Sequence, residues 1–466
     1  MPAAADQAVV RHSRAPLGVW ASRYRFVIAA LAGTLWLNNL YQLPVLASQH
    51  GGLAFISVYL LGLAFIGYPL MIAELALGQR ARANPAAALG SVAQQVRRSR
   101  GWQYLGLAAA LTSLLVLSYY AVVGGWALAH LARALFGGLR GLTIDGMNSV
   151  FATFVADPEK QLFWFTLFVA MTYGIVARGL HRGTEWLTGY GVPLLAVLLL
   201  LLCAYAATRG AFFEGAAQFL NADFSKLKFD GVVLALGQAF FSLSLAFGVM
   251  LAYGAHLPAD APIARLAFFV IAADGVVALL AGLAIFPLLQ ASGTGVLPGL
   301  ATVFQSLPVT FDPLPAGGLM RTVFALTAVL IMWLSAVAFA EPMVLWVEER
   351  FHLARSRAAI WCAGLVWGLG VVGLLSFNYF SFEFNFFGVA KAFGFFDLLL
   401  VITNLILPFV AMLTALFVGW SLSRVFTKES LHLRSLCSYD IWVWCLRIVT
   451  PLLLLLIVFH LPRIFL

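Results

Sequence analysis

Long apolar stretches separated by short polar connections constrain the fold of this chain more than any other feature. We identify eleven stretches that are each long enough to cross a bilayer as a helix, which takes about 20 largely apolar residues. These predicted spans cover residues 25–47, 51–77, 102–136, 160–178, 186–208, 230–256, 262–290, 318–350, 357–380, 395–423 and 440–465. The sequence therefore predicts an all-α polytopic membrane protein.

The composition excludes other classes of protein. Of the 466 residues, 62% are hydrophobic and only 10% are charged, which a soluble globular domain does not tolerate. The net charge of +9 comes from Lys and Arg residues scattered between the spans, so no nucleic-acid partner is expected. We find no constellation of side chains typical of catalysis and no phosphate-binding loop, and we expect no enzyme activity.

Basic residues are distributed unevenly between the two sides of the membrane. If the N-terminus is cytoplasmic, the cytoplasmic connections hold about twice as many Lys and Arg residues as the external ones. The positive-inside rule therefore predicts a cytoplasmic N-terminal segment, residues 1–24. With eleven spans, it also predicts an external C-terminus for a multi-pass protein of the cell (inner) membrane.

Two spans are interrupted by polar residues at mid-depth. In span 1, Asn38 and Asn39 stand before Pro44, and in span 6 residues 237–248 read GQAFFSLSLAFG. Such residues are costly in lipid unless the helix opens and its backbone lines a cavity. The two interruptions are five spans apart, and broken helices at corresponding positions of two halves indicate the binding site of an inverted-repeat transporter.

The residues around these interruptions resemble the neurotransmitter:sodium symporter family. The matching segments are residues 20–23 (WASR), Asn39, Pro44, 51–55 (GGLAF), Tyr59, 67–70 (GYPL), Glu74, 224–228 (FSKLK), 237–244 (GQAFFSLS), 333–342 and 407–420. The resemblance implies a leucine-transporter-like five-plus-five inverted repeat with broken helices 1 and 6 and eleven transmembrane helices. Residues 25–208 would form the first repeat, residues 230–423 the second, and residues 440–465 the additional helix.

The resemblance also implies a function. We expect a secondary active transporter that moves a small neutral amino acid or a related solute by ion-coupled symport and alternating access. Sodium is the expected coupling ion, chloride is less favoured, and the expected partners are the solute and the lipid bilayer. Two alternatives stay open: a proton-coupled transporter that uses Asp274, and a ligand-binding receptor of the same fold that does not transport.

A solute site is carried over from the family to spans 1, 3, 6 and 8. The solute carboxylate is expected against the break at Leu37 and Asn38 and against the Tyr120 hydroxyl. The residues expected to bind the solute are Trp36, Leu37, Asn38, Val116, Tyr120, Phe241, Ser244, Phe247, Ser335 and Phe339. Trp36 replaces a glycine of the family pattern, so its indole is expected to occupy volume that an amino acid normally uses.

The first sodium site implied by the resemblance uses Thr34, Asn39, Ser242 and Asp274. Asp274 stands where the family pattern has an asparagine. Many bacterial relatives carry an acidic residue one turn further along span 7, where this chain has Ala278, so Asp274 is expected to supply that charge from one turn earlier. A charged carboxylate at bilayer depth is costly, so Asp274 is expected to face a cation or to carry a proton.

The second sodium site is expected to be weakened. The resemblance places it between backbone carbonyls of Ala32, Leu35 and Ile331 and the hydroxyl of Ser335. Leu334 stands where the family pattern has another hydroxyl. Hard cations are held by oxygen ligands that replace their hydration shell, so the loss of one oxygen should lower the affinity of this site.

The family's charged gates are altered in this chain. Outside, Gln42 and Leu400 replace an arginine and an aspartate, so no buried charge is left unpaired. Inside, Glu349 matches the acidic gate residue, but the expected arginine is replaced by Leu17, and Arg14 is the candidate substitute. The residues expected to form the gates are Gln42, Tyr120, Phe247 and Glu349.

Two further acidic residues lie within predicted spans. Glu74 in span 2 is expected to brace the opened part of span 6, since unwound backbone at membrane depth requires hydrogen-bond partners from the protein. Glu341 precedes Pro342 in span 8 and is expected to bond backbone groups freed by the proline kink.

Overall fold

The computed structural model describes residues 18–208, 212–292, 297, 299–379, 381–386, 389–422 and 436–465. Its regular secondary structure is helical apart from one two-stranded hairpin and an isolated bridge between Gly52 and Ala222. The helices of the first half are α1 Arg23–Thr34, α2 Leu37–Gln49, α3 Leu53–Gly62, α4 Tyr68–Ala81, α5 Pro85–Gln95, α6 Gln103–Leu135, α7 Ile144–Val155, α8 Pro158–Val176, α9 Glu185–Ala207 and α10 Phe212–Phe219.

The second half continues with the other broken helix. Its elements are α11 Phe229–Ser242, α12 Val249–Ala255, α13 Ile263–Ser292, α14 Leu307–Thr310, α15 Gly317–Phe351, α16 Arg355–Leu375, β1 Ser381–Phe386, β2 Val389–Gly394, α17 Phe395–Leu416, α18 Leu436–Trp444 and α19 Thr450–Phe465. Short π-helical turns at Leu63–Gly67, Leu180–Thr184, Thr302–Ser306, Phe417–Ser421 and Cys445–Val449 and a 3₁₀ turn at Arg100–Trp102 adjoin these helices.

The membrane spans match the apolar stretches of the sequence. Within the described residues, eight helical segments are long and apolar enough to cross a bilayer, and the α1–α2 pair, bent by 61°, makes a ninth. The other two predicted spans coincide with α8, which has 19 residues, and with the pair α11 and α12, which have 14 and 7 residues. The total of eleven spans stays a prediction.

The hairpin was not expected from the sequence. The predicted span 9 runs to residue 380, whereas α16 ends at Leu375 and β1 begins at Ser381. The two strands pair antiparallel from Ser381 with Gly394 to Phe386 with Val389. Residues 381–386 read SFEFNF, an alternation of polar and aromatic residues that is typical of a strand and not of a spanning helix.

The first broken helix opens at two extended residues, Leu35 and Trp36, between α1 and α2. An opened helix leaves backbone carbonyls without partners at its C-terminal end. Here the Asn39 side chain donates to the Thr34 carbonyl at 3.4 Å, and the Thr34 hydroxyl donates to the Leu31 carbonyl at 2.9 Å. Asn39, which marks the break in the sequence, thus also stabilises the opened backbone in the structure.

The second broken helix opens between α11 and α12. Ser244, Ala246 and Gly248 all have left-handed backbone conformations, with φ of 53°, 68° and 76°. Such values strain a residue other than glycine, so they persist only where neighbouring groups hold the chain. The Glu74 carboxylate of α4 accepts a hydrogen bond from the Ala246 N–H at 2.7 Å, which is the bracing role expected of it.

Glycines allow α4 and α12 to cross closely. A Cβ atom on Gly78 would clash with the Leu251 carbonyl of α12, and a Cβ atom on Gly254 would lie 2.6 Å from the Leu75 carbonyl of α4. The two helices therefore touch backbone to backbone, as is common where small residues meet in membrane proteins. This close crossing ties the helix that carries Glu74 to the inner half of span 6.

Candidate functional site

The two broken helices meet at the centre of the molecule. The Ser244 hydroxyl, in the opened part of span 6, donates a hydrogen bond of 2.5 Å to the Gly33 carbonyl at the end of α1. Both residues are buried. The breaks therefore form one continuous region of opened backbone, which is where the sequence predicts the binding site.

A tryptophan side chain fills the space beside this junction. The Trp36 ring lies 4.7 Å from that of Phe339, 5.3 Å from that of Phe247 and 5.5 Å from that of Tyr120, measured between ring centroids. Its indole Nε1 donates a hydrogen bond of 2.7 Å to the Ser244 hydroxyl. The protein's own indole thus packs among residues that the sequence assigns to solute binding.

The polar edge of this aromatic cluster is formed by two hydroxyl groups. The Tyr120 hydroxyl of α6 lies 2.9 Å from the Ser335 hydroxyl of α15, and it is within hydrogen-bonding reach of the Leu37 backbone. Leu37 begins α2, and the first N–H groups of a helix lack partners within that helix. Tyr120 is therefore placed beside the positive end of α2.

A cavity of about 350 Å³ lies on the side of Trp36 toward the far end of α2. Its lining includes Trp36, Leu37, Asn38, Tyr120 and Phe241 from the expected solute set, and the two expected outer-gate positions, Gln42 and Leu400. The other lining residues are Asn39, Tyr41, Leu46, Tyr119, Val123, Leu234, Gly237, Gln238, Ser242, Gly299, Leu300, Phe396, Asn404 and Ile457. The cavity therefore reaches from the aromatic cluster to the expected outer-gate positions Gln42 and Leu400.

The remaining residues of the expected solute set lie outside that lining. Phe247 and Phe339 belong to the aromatic cluster around Trp36. Ser244 accepts the hydrogen bond from the Trp36 indole, and Ser335 lies at the polar edge of the cluster. Val116 is buried in α6. The sequence did not single out Tyr41 or Asn404. Each is an amide or phenol side chain within an apolar span, which is the sequence feature that could have identified them. Both line the same cavity as Asn38 and Gln238.

A second, polar cluster surrounds Asp274 in the middle of α13. The Asp274 carboxylate lies 3.4 Å from both the Asn39 amide nitrogen and the Tyr59 hydroxyl, and the hydroxyls of Thr34 and Ser242 are also within hydrogen-bonding reach. The Gln238 amide donates to Asn39 Oδ1 at 3.4 Å. The structure thus brings together all four residues assigned to the first sodium site.

Asp274 has no oppositely charged partner among the described residues. The side chain is fully buried, and among the described residues it makes no ion pair with Lys, Arg or His. Its partners are neutral hydroxyls and amides, which is a donor set suited to a hard cation. A half-turn of the Asn39 amide would exchange its nitrogen for its oxygen and add a further ligand.

The second expected cation site has fewer side-chain oxygens. The Ser335 hydroxyl donates to the Ile331 carbonyl at 3.0 Å, and Ala32 and Leu35 are buried in and beside the facing α1. Leu334 contributes only methyl groups, which pack toward α9: a Cβ atom on Gly191 would lie 2.9 Å from Leu334 Cδ2. Within this set Ser335 is the residue that offers a hydroxyl.

At the end of the bundle that is predicted to face the cytoplasm, the Trp20 segment is held against α12. The Trp20 indole, just before α1, donates to the Tyr253 carbonyl of α12 at 3.0 Å. The Trp20 N–H donates to the His256 carbonyl at 3.2 Å, and the His256 ring nitrogen Nδ1 lies 2.7 Å from the Gly18 carbonyl. These bonds tie the start of span 1 to the inner end of span 6.

Glu349, the residue expected at the inner gate, contacts the start of α5. Glu349 accepts hydrogen bonds from the backbone and side chain of Asn84, at 3.0 and 2.8 Å, and so holds the start of α5. Arg14, its candidate partner, lies outside the described residues. The gating role of Glu349 stays a prediction.

Glu341 does not serve the proline kink as expected. It forms an ion pair of 2.5 Å with Arg355 at the start of α16, and Arg355 also lies 3.4 Å from Glu348. The Arg355 guanidinium further donates to the Val176 carbonyl of α8 at 3.0 Å. The ion pair and the hydrogen bond to Val176 thus join α15, α16 and α8. The sequence signal for this contact was the pair Glu348 and Arg355, which flank the short turn between spans 8 and 9.

Comparison with known protein families identifies one family that matches most of this chain. The model of the Sodium:neurotransmitter symporter family matches residues 18–141 and 158–463. An uncharacterized sodium-dependent transporter of Bacillus subtilis is 30% identical over 447 residues, which cover 95% of this chain and 97% of that protein. An uncharacterized sodium-dependent transporter of Haemophilus influenzae is 27% identical over 445 residues, with 94% and 96% coverage.

A solved structure is also similar over nearly the whole chain. The crystal structure of MhsT in complex with L-phenylalanine matches with a TM-score of 0.82 and 32% sequence identity. The match covers 94% of this chain and 98% of MhsT. The residues that the family model matches include both broken helices and the helices that carry Tyr120, Asp274 and Ser335.

Proposed function

Because this chain belongs to the sodium:neurotransmitter symporter family, we propose that it is a sodium-coupled symporter that carries a small neutral amino acid or a related solute across the cell membrane by alternating access. The family consists of transporters and not of enzymes. The protein is a multi-pass membrane protein. The proposal includes a cytoplasmic N-terminus and an external C-terminus, supported by the uneven distribution of Lys and Arg.

The observation that carries the sodium proposal is the buried carboxylate of Asp274 among neutral oxygens. A carboxylate without a cationic partner is strongly disfavoured at this depth. A bound sodium ion would compensate the charge, with oxygens from Thr34, Asn39, Ser242 and Asp274 replacing its hydration shell. Sodium binding would then favour the arrangement in which spans 1, 6 and 7 are held together around the ion.

We propose that the solute binds in the 350 Å³ cavity rather than in the space filled by Trp36. A volume of this size falls in the range of small-molecule pockets, about 300–1,000 Å³. The wall offers amide groups from Asn38, Gln42, Gln238 and Asn404 beside several aromatic rings. Neutral amides that can donate and accept hydrogen bonds suit a small polar solute without net charge.

The carboxylate of an amino acid would bind at the start of α2. Leu37 and Asn38 provide first-turn N–H groups that have no partner within the helix, and Tyr120 provides a hydroxyl beside them. The positive end of the helix dipole favours an anionic group there. The Asp274 cluster lies next to the same break, since Asn39 belongs to both, so ion and solute would stabilise one arrangement of span 1.

Release to the cytoplasm requires that the inner contacts break. The hydrogen bonds between the Trp20 segment and the end of α12 hold the inner side closed, while the cavity reaches the outer gate. Alternating access then consists of closing the outer cavity and separating Trp20 from Tyr253. Because the family relative MhsT was crystallised with L-phenylalanine, neutral amino acids are the first solutes to test.

The test is uptake of radiolabelled neutral amino acids into proteoliposomes, driven by an inward sodium gradient or by the same gradient of choline. We expect at least one amino acid to accumulate with sodium and not with choline. Asp274→Asn should abolish that accumulation, whereas the surface variant Asp145→Asn should transport as the wild type does, because Asp145 is exposed in the first turn of α7.

Two results would overturn the proposal in different ways. Accumulation that follows an imposed proton gradient and ignores sodium would show that Asp274 carries a proton. Saturable binding of a solute without accumulation under any gradient would show a receptor that keeps the transporter fold.

A further inference from the structure

An apolar groove lies on the membrane-facing side of α6 and α17, away from the solute cavity. It has a volume of about 690 Å³ and is lined by Ser99, Gly101, Trp102, Tyr104, Leu105, Ala108, Leu405, Ile406, Phe409, Val410 and Leu413. Tyr104 is 66% exposed and Phe409 43% exposed, so the walls are open to whatever surrounds the helices. In a membrane, that surrounding is lipid.

The groove has the length of one leaflet. On α17 it extends from Leu405 to Leu413, which corresponds to roughly 12 Å at a rise of 1.5 Å per residue. Half of the hydrocarbon core of a bilayer is about 15 Å thick. One end of the groove, at Ser99 and Gly101, lies at the start of span 3, so the groove covers the leaflet next to that end.

Three arginines stand at this end of the groove. Arg97, Arg98 and Arg100 are exposed and flank the lining residues Ser99 and Gly101 in the chain. In the described part of the chain, none of these three guanidinium groups forms an ion pair. The cluster therefore presents uncompensated positive charge beside an apolar channel.

Aromatic residues mark the boundary between the charged and the apolar parts. Trp102 lines the groove and packs on Phe417 with ring centroids 4.6 Å apart. Tyr104, two residues later in the chain, also lines the groove. Trp and Tyr concentrate at the level of lipid headgroups, because their rings are apolar at one end and polar at the other. The arginines, the aromatic residues and the apolar groove thus follow one another in the same order as the headgroup, the interfacial region and the acyl chain of a phospholipid.

We propose that this groove is a binding site for an anionic phospholipid of the cytoplasmic leaflet, with an acyl chain between α6 and α17 and the phosphate at Arg97, Arg98 and Arg100. The assignment to the cytoplasmic leaflet rests on the orientation given by the positive-inside rule. Juxtamembrane Lys and Arg residues attract anionic lipids in this way. The site is separate from the solute and cation sites and does not depend on what is transported.

The test uses the detergent-purified full chain with phosphatidylglycerol or phosphatidylcholine of identical acyl chains, and counts retained lipid by native mass spectrometry. We expect the wild type to retain phosphatidylglycerol over phosphatidylcholine by about fivefold or more. The variant Arg97→Gln/Arg98→Gln/Arg100→Gln should lose this preference. The variant with lysine at the same three positions keeps the charge and should retain it.

Matched variants separate the groove from general surface charge. Arg178→Gln/Arg182→Gln/Arg265→Gln removes three other exposed positive charges that are predicted to be cytoplasmic, and should leave the preference unchanged. Ala108→Trp fills the groove without changing the charge and should lower retention of both lipids. An unchanged preference in the Arg97/Arg98/Arg100 glutamine variant, an equal loss in the matched control, or unchanged retention in Ala108→Trp would each overturn the proposal.

Free phosphate is tested in the same experiment. Inorganic phosphate added in excess should displace little phosphatidylglycerol, because the acyl chain contributes to binding in the groove. Complete displacement by phosphate would show a simple anion site at the arginines and would also overturn the proposal.

Discussion

The polar cluster at Asp274 and the aromatic cluster at Trp36 both adjoin the break in span 1, but they differ in whether a ligand is needed to complete them. Around Asp274, neutral hydroxyl and amide groups surround a buried carboxylate that makes no ion pair among the described residues. Around Trp36, the indole already occupies the space, and its N–H donates a hydrogen bond to the Ser244 hydroxyl. One cluster is incomplete without a ligand, and the other is complete without one.

This difference separates ion binding from solute binding. An incomplete polar site changes its stability when the ion binds, so it can drive a conformational change. A complete aromatic site gains nothing from a solute unless the indole leaves. We therefore expect sodium to bind at the Asp274 cluster, and the solute to bind outside Trp36.

The largest expected effect comes from emptying the aromatic cluster. Trp36→Gly should destabilise the protein by about 3–5 kcal/mol, because it removes a packed indole and leaves a cavity. Free indole should partly restore the thermal stability by binding in that cavity. The measurement is the melting temperature of the purified variant with and without indole.

A tryptophan on the outside of the molecule provides the control for this experiment. Trp361 on α16 is 66% exposed, so Trp361→Gly should lose little stability and should show no response to indole. If Trp36→Gly were as stable as the wild type, Trp36 would not fill the centre and the comparison would fail.

The next largest effect comes from neutralising the polar cluster. Asp274→Asn should weaken sodium binding by about a hundredfold, corresponding to about 3 kcal/mol, because it removes the charged ligand. Without sodium the same variant should be at least as stable as the wild type, since the unpaired buried charge is gone. Melting curves in sodium chloride and choline chloride measure both effects, and equal sodium stabilisation of the variant and the wild type would contradict this role of Asp274.

Breaking the hydrogen bond at the junction should have a smaller effect. Ser244→Ala leaves the Trp36 N–H without its partner, at a cost of about 1–3 kcal/mol. Ser244→Gly removes the same hydroxyl but relieves the left-handed backbone, so the difference between the two variants isolates the strain. A double-mutant cycle with Trp36→Phe should give a coupling energy of about 0.5–3 kcal/mol, and additive effects would show that the bond is not important.

The smallest effect is expected at the second cation site. Leu334→Thr supplies the hydroxyl that the family pattern has there and should raise sodium affinity by a few-fold, roughly 1 kcal/mol. Leu330→Thr is the matched control, because Leu330 also packs toward Gly191 but is not among the expected cation ligands. The midpoint of sodium-dependent stabilisation distinguishes the two, and an equal shift in both variants would rule out a specific ligand.

Much of the fold could be predicted from the sequence. Hydropathy located the helices to within a few residues, and polar residues inside apolar spans marked both breaks. The family similarity and the similarity to a solved structure confirm the expected fold class and family. These features depend on local composition, which a single sequence displays directly.

Other features depend on which side chains meet in space. The sequence showed that Trp36 is large, but not that its Nε1 would reach Ser244 across the junction. The ion pair of Arg355 with Glu341 likewise depends on how α15 and α16 pack. The pairing of Ser381–Phe386 with Val389–Gly394 could not be predicted, because a short alternating pattern between two apolar spans does not show which segment it pairs with.

Binding of radioactive sodium to the purified protein, without any organic solute, measures directly whether the Asp274 cluster is a sodium site. We predict saturable binding that unlabelled sodium displaces and potassium does not. Binding should be lost in Asp274→Asn and retained in Trp36→Phe, because the ion site is incomplete and the aromatic site is not part of it. Absence of saturable binding, or equal binding by the wild type and Asp274→Asn, would show that the cluster does not bind sodium.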